Sequence, residues 1–149
     1  MKMDKPQCLL YAAAMVLDKP PEVLIHEIGH DGMTMIWPHL PRPLCYKSMH
    51  IQEIMDVFIL YGYGLVLIEQ YPYQAPNNHV PPHKTYKNNE QRFNKIIKSR
   101  EAIMIGKRKD SNIGHAWAWD GCECYDPNGM ICGINEYNIQ EAWIKTKMI

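Results

Sequence analysis

Three side chains able to share one proton stand far apart in this chain: Cys8, His115 and Asp126. Cys8 opens the block Cys8-Leu9-Leu10-Tyr11-Ala12-Ala13-Ala14, which continues apolar to Leu17. A helix apolar all round belongs in an interior. A thiol at its first residue meets unpaired backbone N–H groups and the positive end of the helix dipole. Both favour the thiolate, which is the nucleophilic form. The displaced proton needs an acceptor, and an imidazole is the natural one. His115 lies in Gly114-His115-Ala116-Trp117-Ala118-Trp119, a strand-like run. Eleven positions later comes Asp126, within Tyr125-Asp126-Pro127-Asn128-Gly129. Asp120-Gly121 is a strong hairpin turn between the two runs. It carries the second run back beside the first, so residues near 125 and 126 should lie roughly opposite His115. A carboxylate there fixes the tautomer and orientation of the ring. The chemistry expected is attack of the Cys8 thiolate on a carbonyl, with His115 moving the proton and Asp126 holding His115. Asp-Pro-Asn-Gly is also turn chemistry in its own right, and the two roles are compatible.

These segments resemble a known family. A Gln-Cys pair opening an alanine-rich apolar helix, a Gly-His-Ala segment and then Asp-Pro-Asn-Gly is similar to papain-like cysteine peptidases. The nearest type is the bacteriocin-processing peptidases that remove double-glycine leaders, with their small phage and bacterial stand-alone relatives. The likeness covers most of the chain, with Cys, His and Asp in the family order. It implies an α+β fold in which an N-terminal buried helix carrying Cys8 packs on a C-terminal antiparallel sheet. It also implies that Cys8 is the nucleophile, His115 the general base and Asp126 its orienter, cleaving a peptide or amide bond through an acyl-enzyme. Family members place an oxyanion-hole glutamine several residues before the cysteine; here Lys2 or Met3 stands at that spacing, and Gln7 is the nearby glutamine. Gln7 is therefore the oxyanion candidate, beside the Cys8 backbone N–H. Without such a donor the same fold would serve as a binding protein that sequesters a peptide or a partner protein.

A rival chemistry lies in His26-Glu27-Ile28-Gly29-His30, which matches the H-E-x-x-H zinc signature. On one continuous helix both imidazoles would share a face, with Glu27 as base. The motif falls in the last turn of a short helix, and positions 33 and 36 are Met and Ile, not a third histidine. A carboxylate such as Glu53 would have to complete the site. The favoured alternative is a solvated polar face opposite Leu24, Ile25 and Ile28, and a third is that Gly29-His30-Asp31-Gly32 shapes the substrate cleft. Cys122 and Cys124, expected on one strand face with Cys132 close behind, read as packed thiols. No metal site and no cofactor is expected. Trp37, Trp117, Trp119 and Trp143 are expected to serve the core, with cleft lining as a second role for Trp37 in its Pro-rich loop, and His79-Val80-Pro81-Pro82-His83 reads as a mobile flap or a surface loop.

Elements must bring positions 8, 115 and 126 together. A second helix is expected from Pro20-Pro21 through Ile28, ending at Gly29 to Gly32. Met33 to Tyr46 reads as a loop. Ser48 is expected to cap a third helix over His50 to Tyr61, closed by Gly62 and Gly64. Strands are expected at Leu65–Glu69, Ala102–Gly106, Gly114–Trp119 and Glu123–Asp126. A loop over Tyr71–Lys87, a helix over Glu90–Ser99 and a final helix around Glu136–Lys145 complete the reading. Helices first and clustered strands later imply α+β with an antiparallel sheet. The 149 residues fit one domain spanning 1–149. Sixteen Lys+Arg balance sixteen Asp+Glu, so no basic face invites nucleic acid. The longest apolar run is too short to span a bilayer, and no cleavage pattern follows it before Asp18-Lys19-Pro20-Pro21. Five cysteines is an odd number, which disfavours a disulfide framework and fits a cytoplasmic protein.

Overall fold

The computed structural model of the chain describes residues 7–34, 37–41, 48–70 and 89–148. The architecture is α+β. Helix α1 is Cys8–Leu17, α2 is Pro21–Ile28, α3 is Ile51–Leu60 and α4 is Asn89–Ile97. Strands β1 (Tyr63–Glu69), β2 (Ala102–Arg108), β3 (His115–Trp119), β4 (Cys124–Tyr125), β5 (Ile131–Cys132) and β6 (Tyr137–Lys147) form one sheet in the order β1-β6-β2-β3-β4-β5. Every neighbouring pair is antiparallel. No helix among the described residues is long and apolar enough to cross a membrane.

Helix α1 is the central helix. Leu9, Leu10, Ala12, Ala13, Ala14, Val16 and Leu17 are all buried. Its alanines let the helix approach Ala116 and Ala118 of β3, with Ile103 of β2 in the same core. The helix ends at Asp18, whose left-handed backbone lets its N–H reach the Ala14 and Met15 carbonyls. Helix α2 starts with Pro21 in its first turn and stops at Gly29, at φ 94°. Both contribute to the core on the α1 side, as does α3 through Ile54, Val57 and Phe58. The other face of the sheet is covered by α4. There Phe93 and Ile97 pack with Met104, Trp117, Trp119, Tyr137, Ala142 and Ile144. Alternation along β3 thus sends its alanines to α1 and its tryptophans to α4.

Several expectations are corrected. The segment Glu136–Lys145 is not a helix. It belongs to β6, an 11-residue strand paired on one side with β1 and on the other with β2. Two ladders of backbone hydrogen bonds outweigh the helix preference of its Gln, Glu, Ala and Lys. The sheet is also not wholly C-terminal, because β1 comes from the middle of the chain. Ser48 does not cap α3. His50 does: its Nδ1 accepts from the Gln52 N–H at 3.2 Å, while its own N–H donates to Glu53 Oε1 at 2.9 Å. Gly62, at φ 87°, follows α3, whereas Gly64 already lies in β1. Cys122 is exposed in the turn before β4, so it shares no strand face with Cys124. The expected loop over Tyr71–Lys87, with its histidines, lies outside the described residues.

One irregularity matters for the site. The register of β2 against β6 shifts between Ile105 and Gly106: Ile105 pairs with Glu141, but Gly106 pairs with Ile139. Gln140 is the extra residue of a β-bulge. Gly106 also pairs with His115 on its other side. A Cβ at Gly106 would come within 2.2 Å of the Asn138 carbonyl oxygen. Gly106→Ala should therefore cost about 2–3 kcal/mol. Thermal unfolding reads this directly, and an unchanged midpoint would mean the bulge yields freely.

Candidate active site

The fold brings Cys8, His115 and Asp126 into one cluster. Cys8 is half-buried at the first residue of α1. Burial alone would raise its pKa, but the hydrogen bond and positive charge of His115, with the backbone N–H groups of Ala116 and Leu9, pull it below the ordinary thiol value. The Leu9 N–H is one of the open donors of the helix start. The imidazole also meets Asp126: His115 Nε2 lies 2.9 Å from Oδ2. Burial lowers the His115 pKa and the bonds to Asp126 and Cys8 raise it, with a net rise to about 9. Asp126 is desolvated too, yet the donors around it hold its carboxyl down to about 2. At neutral pH the cluster therefore holds a carboxylate and an imidazolium, beside a thiol whose ionised form is favoured.

Asp126 divides its two oxygens between structure and site. Oδ1 accepts the Asn128 N–H at 3.0 Å, within the turn closed by Asp126 N–H to the Met130 carbonyl at 2.8 Å. Oδ2 takes His115, Tyr137 Oη at 2.8 Å and Arg108 Nη1 at 3.3 Å. The turn role and the site role expected for Asp-Pro-Asn-Gly therefore coexist on one side chain. The register differs slightly from expectation: Tyr125 pairs with Ala118, so Asp126 stands one step beyond that pair and reaches His115 diagonally.

Arg108 and Tyr137 were not legible as site residues in the sequence. Tyr137 is buried, stacks on Trp117 at 3.9 Å and accepts a hydrogen bond from the Cys132 thiol at 3.3 Å. Trp117 in turn stacks with His115 at 6.0 Å. The aromatic column backs the imidazole while the phenol and guanidinium spread the charge of Asp126. The bulge in β6 creates this arrangement. Opposed residues share a sheet face, so Ala142 and Ile144 lie with Met104 and Ala102, and the extra residue lets Tyr137 join that face opposite Arg108.

Gln7 is buried, and its Nε2 donates to the Asp31 carbonyl at 2.8 Å. That bond ties the start of α1 to the loop after α2. The zinc-like motif is not laid out on one helix. His26 lies in α2, but His30 follows the left-handed Gly29, beyond the helix end. Both His30 nitrogens are engaged: Nδ1 accepts the Gly32 N–H at 3.1 Å and Nε2 lies 2.5 Å from Glu53 Oε2. Glu53 does meet His30, as a hydrogen-bond partner. Among the described residues no group of three His, Cys, Asp or Glu side chains is placed to hold a metal. Cys124 and Cys132 face each other across β4 and β5, and burial pushes the Cys124 thiol up to about 12, out of reactive range. A cavity of about 1070 Å³ borders Leu17, Asp18, Tyr61 and Trp119 at the far end of α1 from Cys8, away from this chemistry. No family model matches the chain, and no curated protein matches it.

Proposed function

We propose that the protein is a papain-like thiol hydrolase that cleaves a peptide or other amide bond in a peptide or protein substrate. The observation that carries this reading is one imidazole, His115, that interacts with both the Cys8 thiol and the buried Asp126. A cysteine at the start of a buried helix, packed on an antiparallel sheet that supplies the histidine, supports it further.

In the first half-reaction the Cys8 sulfur attacks the substrate carbonyl carbon. The tetrahedral oxyanion collapses, the C–N bond breaks, and the His115 imidazolium gives its proton to the leaving amine. In the second, neutral His115 takes a proton from water as the water oxygen attacks the thioester. The C–S bond breaks, the acid departs, and Cys8 returns as thiolate beside imidazolium. The Cys8 backbone N–H and the second Nε2 N–H of Gln7 are the proposed oxyanion donors, each of a kind worth about 3 kcal/mol of barrier. A reactive thiol of this kind belongs in a reducing compartment, and the cytoplasm is the proposed location.

Iodoacetamide near neutral pH, with the modified positions mapped by mass spectrometry, tests the reading. Cys8 should be alkylated at least about tenfold faster than Cys122, Cys124 and Cys132. Equal, slow labelling of all of them would remove the nucleophile and leave a binding domain of the same architecture.

A further inference from the structure

We propose that His30 and Glu53 are positioning residues for the Gln7 amide, so that the loop after α2 sets the direction of an oxyanion donor. The inference rests on the thiol-hydrolase reading and deepens it. A glutamine amide has an oxygen end and a nitrogen end of nearly equal shape, and only neighbours decide which points where. The Asp31 carbonyl, an acceptor 2.8 Å from Nε2, decides it for Gln7. The second N–H lies in the same amide plane, so its direction follows from the first. No acceptor among the described residues takes it.

The precision of that donor is therefore the precision with which Asp31 is held. Three bonds hold it. His30 Nε2 meets Glu53 Oε2 at 2.5 Å, the Gly32 N–H reaches His30 Nδ1 at 3.1 Å, and the Ser48 N–H reaches the Gly32 carbonyl at 2.7 Å. With Nδ1 accepting, the ring proton sits on Nε2 and points at the carboxylate. Glu53 is itself fixed through Oε1 by the His50 N–H at 2.9 Å. Gly32 takes φ 76°, and a Cβ there would lie 3.0 Å from the Ser48 backbone. The loop is thus pinned to the start of α3 on one side and to Gln7, the residue before Cys8, on the other. Asp31 lies between two residues that are each fastened.

Two reagents separate positioning from support. Alkylation by iodoacetamide forms no oxyanion; acylation by p-nitrophenyl acetate does, as the sulfur bonds the acetyl carbon and p-nitrophenolate leaves. His30→Ala should slow acylation of Cys8 about tenfold while alkylation keeps its rate. His30→Phe, which keeps the ring and removes its nitrogens, should do the same and serves if the alanine variant does not fold. Glu53→Gln leaves one oxygen for two donors, the His50 N–H and His30 Nε2, and should slow acylation in the same direction as His30→Ala. Gln7→Ala should slow acylation at least as much, and adding His30→Ala to it should change nothing more. The inference is overturned if His30 variants leave acylation intact, if both reagents slow together, or if the His30 and Gln7 effects add. Failure of the underlying reading looks different: in the unmodified protein Cys8 would alkylate no faster than the other thiols, and the inference would fall with it.

Discussion

Cys8→Ala and His115→Ala should each abolish turnover, and alkylation should tell them apart. Cys8→Ala leaves no sulfur at position 8 to modify. His115→Ala leaves the sulfur but removes the donor and the positive charge that oppose its burial. Its pKa should climb, so alkylation of Cys8 at pH 7 should slow and its pH profile should move to higher pH. Loss of general acid–base transfer adds a factor of about 10²–10⁴ in turnover. The sign of the pH dependence follows from the same pair. Turnover in the unmodified protein should rise as the lowered Cys8 thiol ionises, hold while thiolate and imidazolium coexist, and fall above about 9 as His115 loses its proton. Alkylation needs only the thiolate and should not fall on that alkaline side. A turnover profile that keeps rising through pH 9 to 10 would mean that His115 is not the acid.

Asp126→Ala should damage both rate and stability. It removes the acceptor shared by His115, Tyr137 and Arg108 and the turn bond to the Asn128 N–H. Breaking a buried, charge-assisted group of this kind costs about 3–5 kcal/mol, and loss of the orienting carboxylate costs about 10⁴ in rate. Asp126→Asn should not rescue it. Both carboxylate oxygens accept, so an amide must turn its NH₂ either toward Asn128 or toward the three donors. The stability term has a definite pH window. The folded pKa of Asp126 lies near 2, below its ordinary 3.8, so its contribution is present above 3.8 and lost as pH falls through about 2. His115 behaves oppositely: raised from 6.5 to about 9, it contributes below 6.5 and loses that as pH rises through about 9. Thermal unfolding across pH checks both. An Asp126→Asn protein with full stability and rate would show that one oxygen suffices.

The parts of the molecule written in local pattern were legible in the sequence. Helix α1 runs from Cys8 to Leu17, where its apolar block starts and stops, and α2 ends where Gly29 permits a left-handed turn. The Asp120-Gly121 turn joins β3 to β4; Asp120 Oδ1 accepts the Cys122 and Glu123 N–H groups at 2.8 and 2.7 Å, and Gly121 takes φ 97°. The coarse meeting of His115 with Asp126 follows from that turn. Strand β6 was not legible because its buried positions change phase. Tyr137 is buried, then Ala142 and Ile144, a pattern that a strict two-residue period does not describe and that leaves room for a helical reading. Arg108 and Tyr137 were hidden for the same reason, since only the paired strands show that they share a face. The rival metal reading of His26 and His30 arose because their spacing presumes a helix that Gly29 ends.

The phase change in β6 also divides the chain into parts that tolerate different kinds of variation. Within residues 137–142 the spelling can drift as long as the phenol and the small residue stay put. The number of residues cannot, because adding or dropping one would carry Tyr137 to the opposite side of the sheet and strand Asp126 without its phenol. Surface loops such as 109–114 face no such accounting. Sequences descended from a common ancestor with this protein should keep a fixed count between the tyrosine and the alanine even where neighbouring letters have diverged, and that interval is the place to look for them.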